Sequence, residues 1–114
     1  MIEIMYGEEN EHTFELVYEL REYIPESIFD KYPEYTELHF IRDLFARDSC
    51  IQFINKVTMI WSLHYEYKYI DKGFTIVLDE DYDLINFVVE NPKNKSEIAK
   101  YICNLIENQK VKSE

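Results

Sequence analysis

A chain of 114 residues and 13.9 kDa, 46% hydrophobic and with only two Gly and three Pro, has the size and composition of one folded domain and lacks the signature of disorder. Its 23 Asp plus Glu against 12 Lys plus Arg give a formal net charge of −11, which disfavours nucleic acid and anionic membranes as partners. No apolar run approaches the roughly 18 residues of a membrane span, and Met1 to Met5 lacks the basic flank of a signal peptide, so a cytoplasmic location is expected. Cys50 and Cys103 sit in apolar settings and read as small buried hydrophobes, not as a disulfide.

The acidity is uneven. Residues 1–49 carry 13 acids and 4 bases, whereas residues 50–114 carry 10 and 8. Along the chain, Met1 to Tyr6 alternates like a short strand and Gly7 to Asn10 turns it. From Glu11 to Ile24 a spacing of 100° per residue gathers Leu16, Val17, Leu20, Tyr23 and Ile24 on one side. Glu8, Glu11, Glu15, Glu19 and Glu22 fall on the other, so the segment is expected to be an amphipathic helix with an acidic stripe, flanked by Phe14 and Tyr18 and stopped by Pro25. Residues 26–34 form a connector with room for one helical turn, and a second helix is expected over Tyr35 to Arg47. The stretch Asp48 to Lys56 satisfies neither the helical nor the strand period.

Beyond Val57 the pattern becomes that of strands. Leu63, Tyr65, Tyr67 and Tyr69 alternate with polar residues, Asp71-Lys72-Gly73 supplies a turn with Gly for positive φ, and Phe74 to Leu78 follows as the next strand. Asp79 to Asp83 turns again before Leu84 to Glu90, giving an antiparallel meander. Asn94 and Glu97 have capping-box spacing ahead of a helix in which Ile98, Tyr101, Ile102, Leu105 and Ile106 share one side. Leu20, Ile41, Phe87 and Ile102 are the expected core. The predicted fold is α+β: a three- to four-stranded antiparallel sheet packed against two or three N-terminal helices and one C-terminal helix, a single domain over residues 1–114 with a frayed tail from Gln109.

No catalytic constellation is evident, and neither a cofactor nor a metal is expected. Two glycines cannot build a dinucleotide fingerprint or a P-loop. His64 and Glu66 form an H-x-E without the cysteine half of a deaminase zinc motif, and His12 and His39 stand alone. Asp79, Asp81, Asp83 and Glu90 fit positions 1, 3, 5 and 12 of a calcium loop, but Leu84 stands where the sharp turn needs Gly, so a solvated acidic hairpin turn is the preferred reading. The expected activity is therefore binding. Glu11, Glu15, Glu19 and Glu22 with Tyr18, and Asp79, Asp81 and Asp83 with Tyr82, are the candidate partner-binding residues, because carboxylates speed encounter with a basic protein and tyrosines anchor it.

In type, this small, Gly-poor, acidic chain resembles the immunity proteins that bacteria make against toxic nucleases, including those of contact-dependent growth inhibition systems. The resemblance is carried by the acids of Glu8 to Glu26, the Asp79 to Asp83 turn and the overall size. It implies a one-to-one complex with a basic, nuclease-like toxin domain whose active or substrate-binding site is masked. The rival reading is a regulatory or structural interaction module, a homodimer included, whose acidity only maintains solubility.

Overall fold

The alternation read in the second half of the chain does build a meander, and in the computed structural model that meander is the centre of a larger sheet. Residues 2–7, 10–82 and 84–109 are described. Six strands, β1 (Glu3–Tyr6), β2 (Thr13–Val17), β3 (Ile51–Thr58), β4 (Ser62–Tyr69), β5 (Lys72–Asp79) and β6 (Leu84–Val89), pair antiparallel in the order β1-β2-β6-β5-β4-β3. Three helices, α1 (Glu26–Lys31), α2 (Glu37–Arg47) and α3 (Lys95–Glu107), complete the α+β architecture.

The expected helix over Glu11 to Ile24 does not form. Thr13 to Val17 is instead the strand β2, and Leu20–Glu22 is a single 3-10 turn. The segment satisfies both periods, since Phe14, Leu16 and Tyr18 alternate with Glu15, Val17 and Glu19. The tie is broken by distant partners: β1 on one side, with Ile4 opposite Leu16, and β6 on the other, with Phe14 opposite Phe87. Gly7 makes the connecting turn possible, because a Cβ there would strike the Thr13 hydroxyl and the Asn10 carbonyl.

The ambiguous stretch after Asp48 resolves as β3. It pairs with β4 along its length, with a bulge between Phe53 and Asn55 that breaks the alternation, and its side chains are exposed from Gln52 onward. The next turn also departs from expectation. Tyr69 pairs with Lys72, so the turn is Ile70-Asp71, and the left-handed residue is Ile70 at φ 59°, not Gly73. Gly73 lies within β5, where a Cβ would collide with the Glu90 carboxyl group.

Helix α2 begins at Thr36, whose hydroxyl accepts from the His39 amide while the His39 ring accepts from the Thr36 amide. Helix α3 starts without a side-chain cap from Asn94. It continues a 3-10 turn, Pro92–Asn94, in which the Asn91 carboxamide accepts from the Lys93 amide. Helix α2 packs over β3, α3 over β2, and the two helices touch, so both cover one face of the sheet.

Between them lies the core. Ile41, Ile76, Ile98, Ala99, Ile102 and Ile106 are fully buried, Phe45 meets Tyr67 and Phe74 edge-on, and Phe14 stacks on Phe87 at 4.9 Å. Of the four expected core residues, Ile41, Phe87 and Ile102 are buried, and Leu20 is half-buried against the cluster. Tyr65 and Tyr67 are covered by the helix layer, and Tyr69 packs on Tyr101 at 4.3 Å. Among the described residues no helix is long and apolar enough to cross a membrane.

Two outcomes follow for stability. Phe87→Ala removes a ring that is 1% exposed and should cost about 3–5 kcal/mol in denaturant unfolding. Ile70→Asn relieves a β-branched side chain of a left-handed backbone and should raise stability by about 1 kcal/mol, read as a higher denaturation midpoint with an unchanged slope.

Candidate functional site

Antiparallel pairing sorts the candidate residues to the two ends of the sheet. Glu3 of β1 sits opposite Val17 of β2, and β2 runs against β6, so the chain leaving β2 through Tyr18 and Glu19 heads toward the start of β6. There the β5–β6 turn joins Asp79 to Leu84, and beside it Ser62 pairs with Asp79 while the Glu80 amide donates to the Trp61 carbonyl at 3.1 Å. Three features thus share this turn end: the exit of β2, the Asp79-to-Leu84 turn and the Met59-Ile60-Trp61 tip of the β3–β4 hairpin.

The structure divides the acidic stripe. Glu11 lies in the β1–β2 turn at the far end of the sheet, Glu15 projects from β2, Glu22 is in the 3-10 turn, and only Glu19 approaches the turn end. All four are exposed. Glu8 and Asp83 lie outside the described residues.

Tyr18 is displaced from its expected role. Its ring packs edge-on against Tyr23 at 5.5 Å, and its hydroxyl is buried beside Glu37 without a hydrogen bond of good geometry. Burial, and then the nearby Glu37 carboxylate, push its ionisation far above the ordinary range. Tyr18 is therefore part of the packing between β2 and the start of α2.

Tyr82 is exposed over 74% of its surface, as its place in the acidic turn predicts. The signal that sequence reading missed is the hairpin tip: Ile60 is 83% and Trp61 68% exposed, with Met59 and Leu84 open beside them. Three consecutive large apolar residues, Met59-Ile60-Trp61, just ahead of the alternating run of β4 were the available clue. Asp79, half-buried, and Asp81, exposed, flank this group, and the Asp79 carboxylate accepts from the Asp81 amide at 2.9 Å, fixing the turn.

Exposed apolar side chains at the hairpin tip thus stand beside the carboxylates of Asp79, Glu80 and Asp81. The acidic turn does not form a calcium loop, because Leu84–Val89 is strand and Glu90 sits at the opposite end of β6, where its amide donates to Gly73. Among the described residues no three His, Cys, Asp or Glu side chains are gathered as a metal cage requires. His64 instead meets the Ser62 hydroxyl at 2.9 Å on β4.

Among the described residues, Glu37 is the carboxylate whose ionisation its surroundings shift. Burial raises it above its ordinary value, and the Tyr18 hydroxyl opposes that only in part. Protonation therefore favours the fold: this stabilisation is complete below the ordinary value of 4.5 and is lost as pH rises through the higher folded value. Glu37→Gln should accordingly melt at a higher temperature than the parent at pH 7, with the difference closing as the pH is taken below 4.5. A gap that is constant with pH would show that Glu37 stays ionised at no cost.

Comparison with known proteins finds no family model, no curated protein and no solved structure that matches this chain.

Proposed function

We propose that this chain is a non-catalytic protein-binding domain that engages a basic partner through the turn end of its sheet. The observation that carries this reading is the exposure of Trp61, Ile60 and Tyr82 at one end of the molecule, beside Asp79, Glu80 and Asp81. Aromatic side chains dominate binding energy where a partner can desolvate them, and surrounding carboxylates steer a positively charged surface into place. An immunity protein that masks the phosphate-binding site of a nuclease-like toxin is the biological role that best joins these properties, since such a site must be basic. The acidic turn would stand in for phosphates, and Tyr82 and Trp61 would hold the complex once formed.

A photo-crosslinking residue in place of Tyr82, introduced in the cell of origin, tests the reading directly. The expected product is a single adduct with a basic protein, with none from the same residue at Lys100 on the outer side of α3. Against the captured protein, Tyr82→Ala should weaken binding by about 2 kcal/mol, roughly thirtyfold, mainly by faster dissociation. Asp79→Asn, Glu80→Gln and Asp81→Asn combined should slow association and flatten its salt dependence. An acidic captured protein, or equal adducts from Tyr82 and Lys100, would refute the proposal.

A further inference from the structure

A chain with 23 acids contains one long tract with none. From Ser49 to Tyr65, between Asp48 and Glu66, there is a single Lys and no Asp or Glu. This tract builds β3, the hairpin tip and the first half of β4. Strand β3 is an edge of the sheet, with no strand paired to its outer side among the described residues and with Phe53, Ile54 and Val57 exposed. The other edge, β1, also exposes apolar side chains, Met5 and Tyr6, but it carries Glu3 and has Glu15 opposite Met5. Two molecules of charge −11 repel one another over a Debye length of about 8–10 Å, and the β3 edge is the approach that brings the fewest like charges together.

We infer that the β3 edge is a homodimer interface, in which β3 of one copy pairs antiparallel with β3 of a second copy about a two-fold axis at Val57. The register follows from the ladder. The Met59 amide donates to the Ser62 carbonyl at 2.8 Å, so in the alternating antiparallel pattern Val57 with His64 and Asn55 with Glu66 are the next hydrogen-bonded pairs. Lys56 and Thr58 then turn their backbone N–H and C=O groups outward.

Pairing Lys56 with Lys56 of the second copy would set like charges face to face. Pairing Lys56 with Thr58 avoids this, uses both outward residues twice and places Val57 opposite Val57. The bulge between Phe53 and Asn55 ends the regular stretch on one side and the hairpin turn ends it on the other, so the pairing closes at two copies.

The edge is also held ready. The Arg42 guanidinium lies 4.3 Å from the centre of the Tyr65 ring and 5.5 Å from that of Phe53, and its Nε donates to the Tyr67 hydroxyl at 3.2 Å, pinning β3 to α2. A groove of about 570 Å³, walled by Phe45, Phe53 and Tyr67, opens beside it. The register carries each copy's Met59-to-Trp61 tip past Phe53 and Ile54 of the other, so apolar side chains of both are covered together. Because the dimer covers Ile60 and Trp61, a partner that uses them competes with it, whereas Tyr82, Glu80 and Asp81 stay exposed in either form. The dimer does not depend on the proposed basic partner.

Sedimentation of the purified chain over a range of concentrations should reveal a species of twice the monomer mass, populated more fully as salt rises. Val57→Glu should return it to the monomer mass, and Val57→Thr should not. Under mild oxidation Val57→Cys should form an intermolecular disulfide, because facing residues on the axis bring their Cβ atoms within about 5 Å. Asn55→Cys, and the parent with its own Cys50 and Cys103, should not. A chain that stays monomeric at every concentration would overturn the inference. So would a dimer that survives Val57→Glu, or one in which Val57→Cys fails to cross-link.

Discussion

The β1–β2 hairpin is joined to the rest of the sheet through one aromatic stack. Strands β2 and β6 share only two paired positions, Thr13 with Val88 and Phe14 with Phe87, and at the second the two rings lie 4.9 Å apart and 5° from parallel. The contact is extended by His12, whose carbonyl accepts from the Val89 amide and whose ring Nδ1 meets the Val89 carbonyl at 2.9 Å. A two-stranded hairpin is marginal by itself in water. Held to the meander by this stack, the β1–β2 hairpin presents Glu3, Glu15 and Glu19 at fixed positions and lets α3 pack across the joint.

The same local chemistry explains what could be read from the sequence. The aromatic alternation of β4, the β5–β6 hairpin, α2 and α3 were legible because each pattern is local, and each element's apolar side faces the one core. The segment Thr13 to Val17 misled because its apolar residues satisfy a helix and a strand equally, and the deciding partners, Phe87 and Val88, lie in the far half of the chain. Strand β3 was illegible for another reason. An edge strand with most of its side chains in water has no buried face to impose a period, and its bulge shifts the phase midway. Of the candidate binding residues, the exposure of Asp81 and Tyr82 was legible because the middle of a turn between two strands faces solvent in either register. The burial of Tyr18 was not, because it is set by Glu37 and Tyr23, which the chain brings to it only after folding.

Exposed apolar residues run through the tract from Ser49 to Tyr65 with no acid among them, whereas the β1–β2 hairpin interleaves exposed Met5, Tyr6 and Val17 with Glu3 and Glu15, and further acids lie on the helices. Helices cover one face of the sheet, so the core is built on a single side, and the two ends of the strands and the free edge of β3 are left to interact. The carboxylates of Asp79, Glu80 and Asp81 and the apolar side chains of the β3–β4 tip are thus neighbours at one end of the sheet.

Trp61 is the sole tryptophan of the chain, and it stands in solvent at the hairpin tip. The usual optical relation is therefore reversed in this molecule. Indole emission commonly shifts when a core opens to water, but here the indole is already hydrated in the native state, so unfolding leaves its surroundings nearly unchanged. Covering the tip removes that water. The intrinsic fluorescence of this protein is consequently a poor gauge of its folding and a label-free gauge of its company.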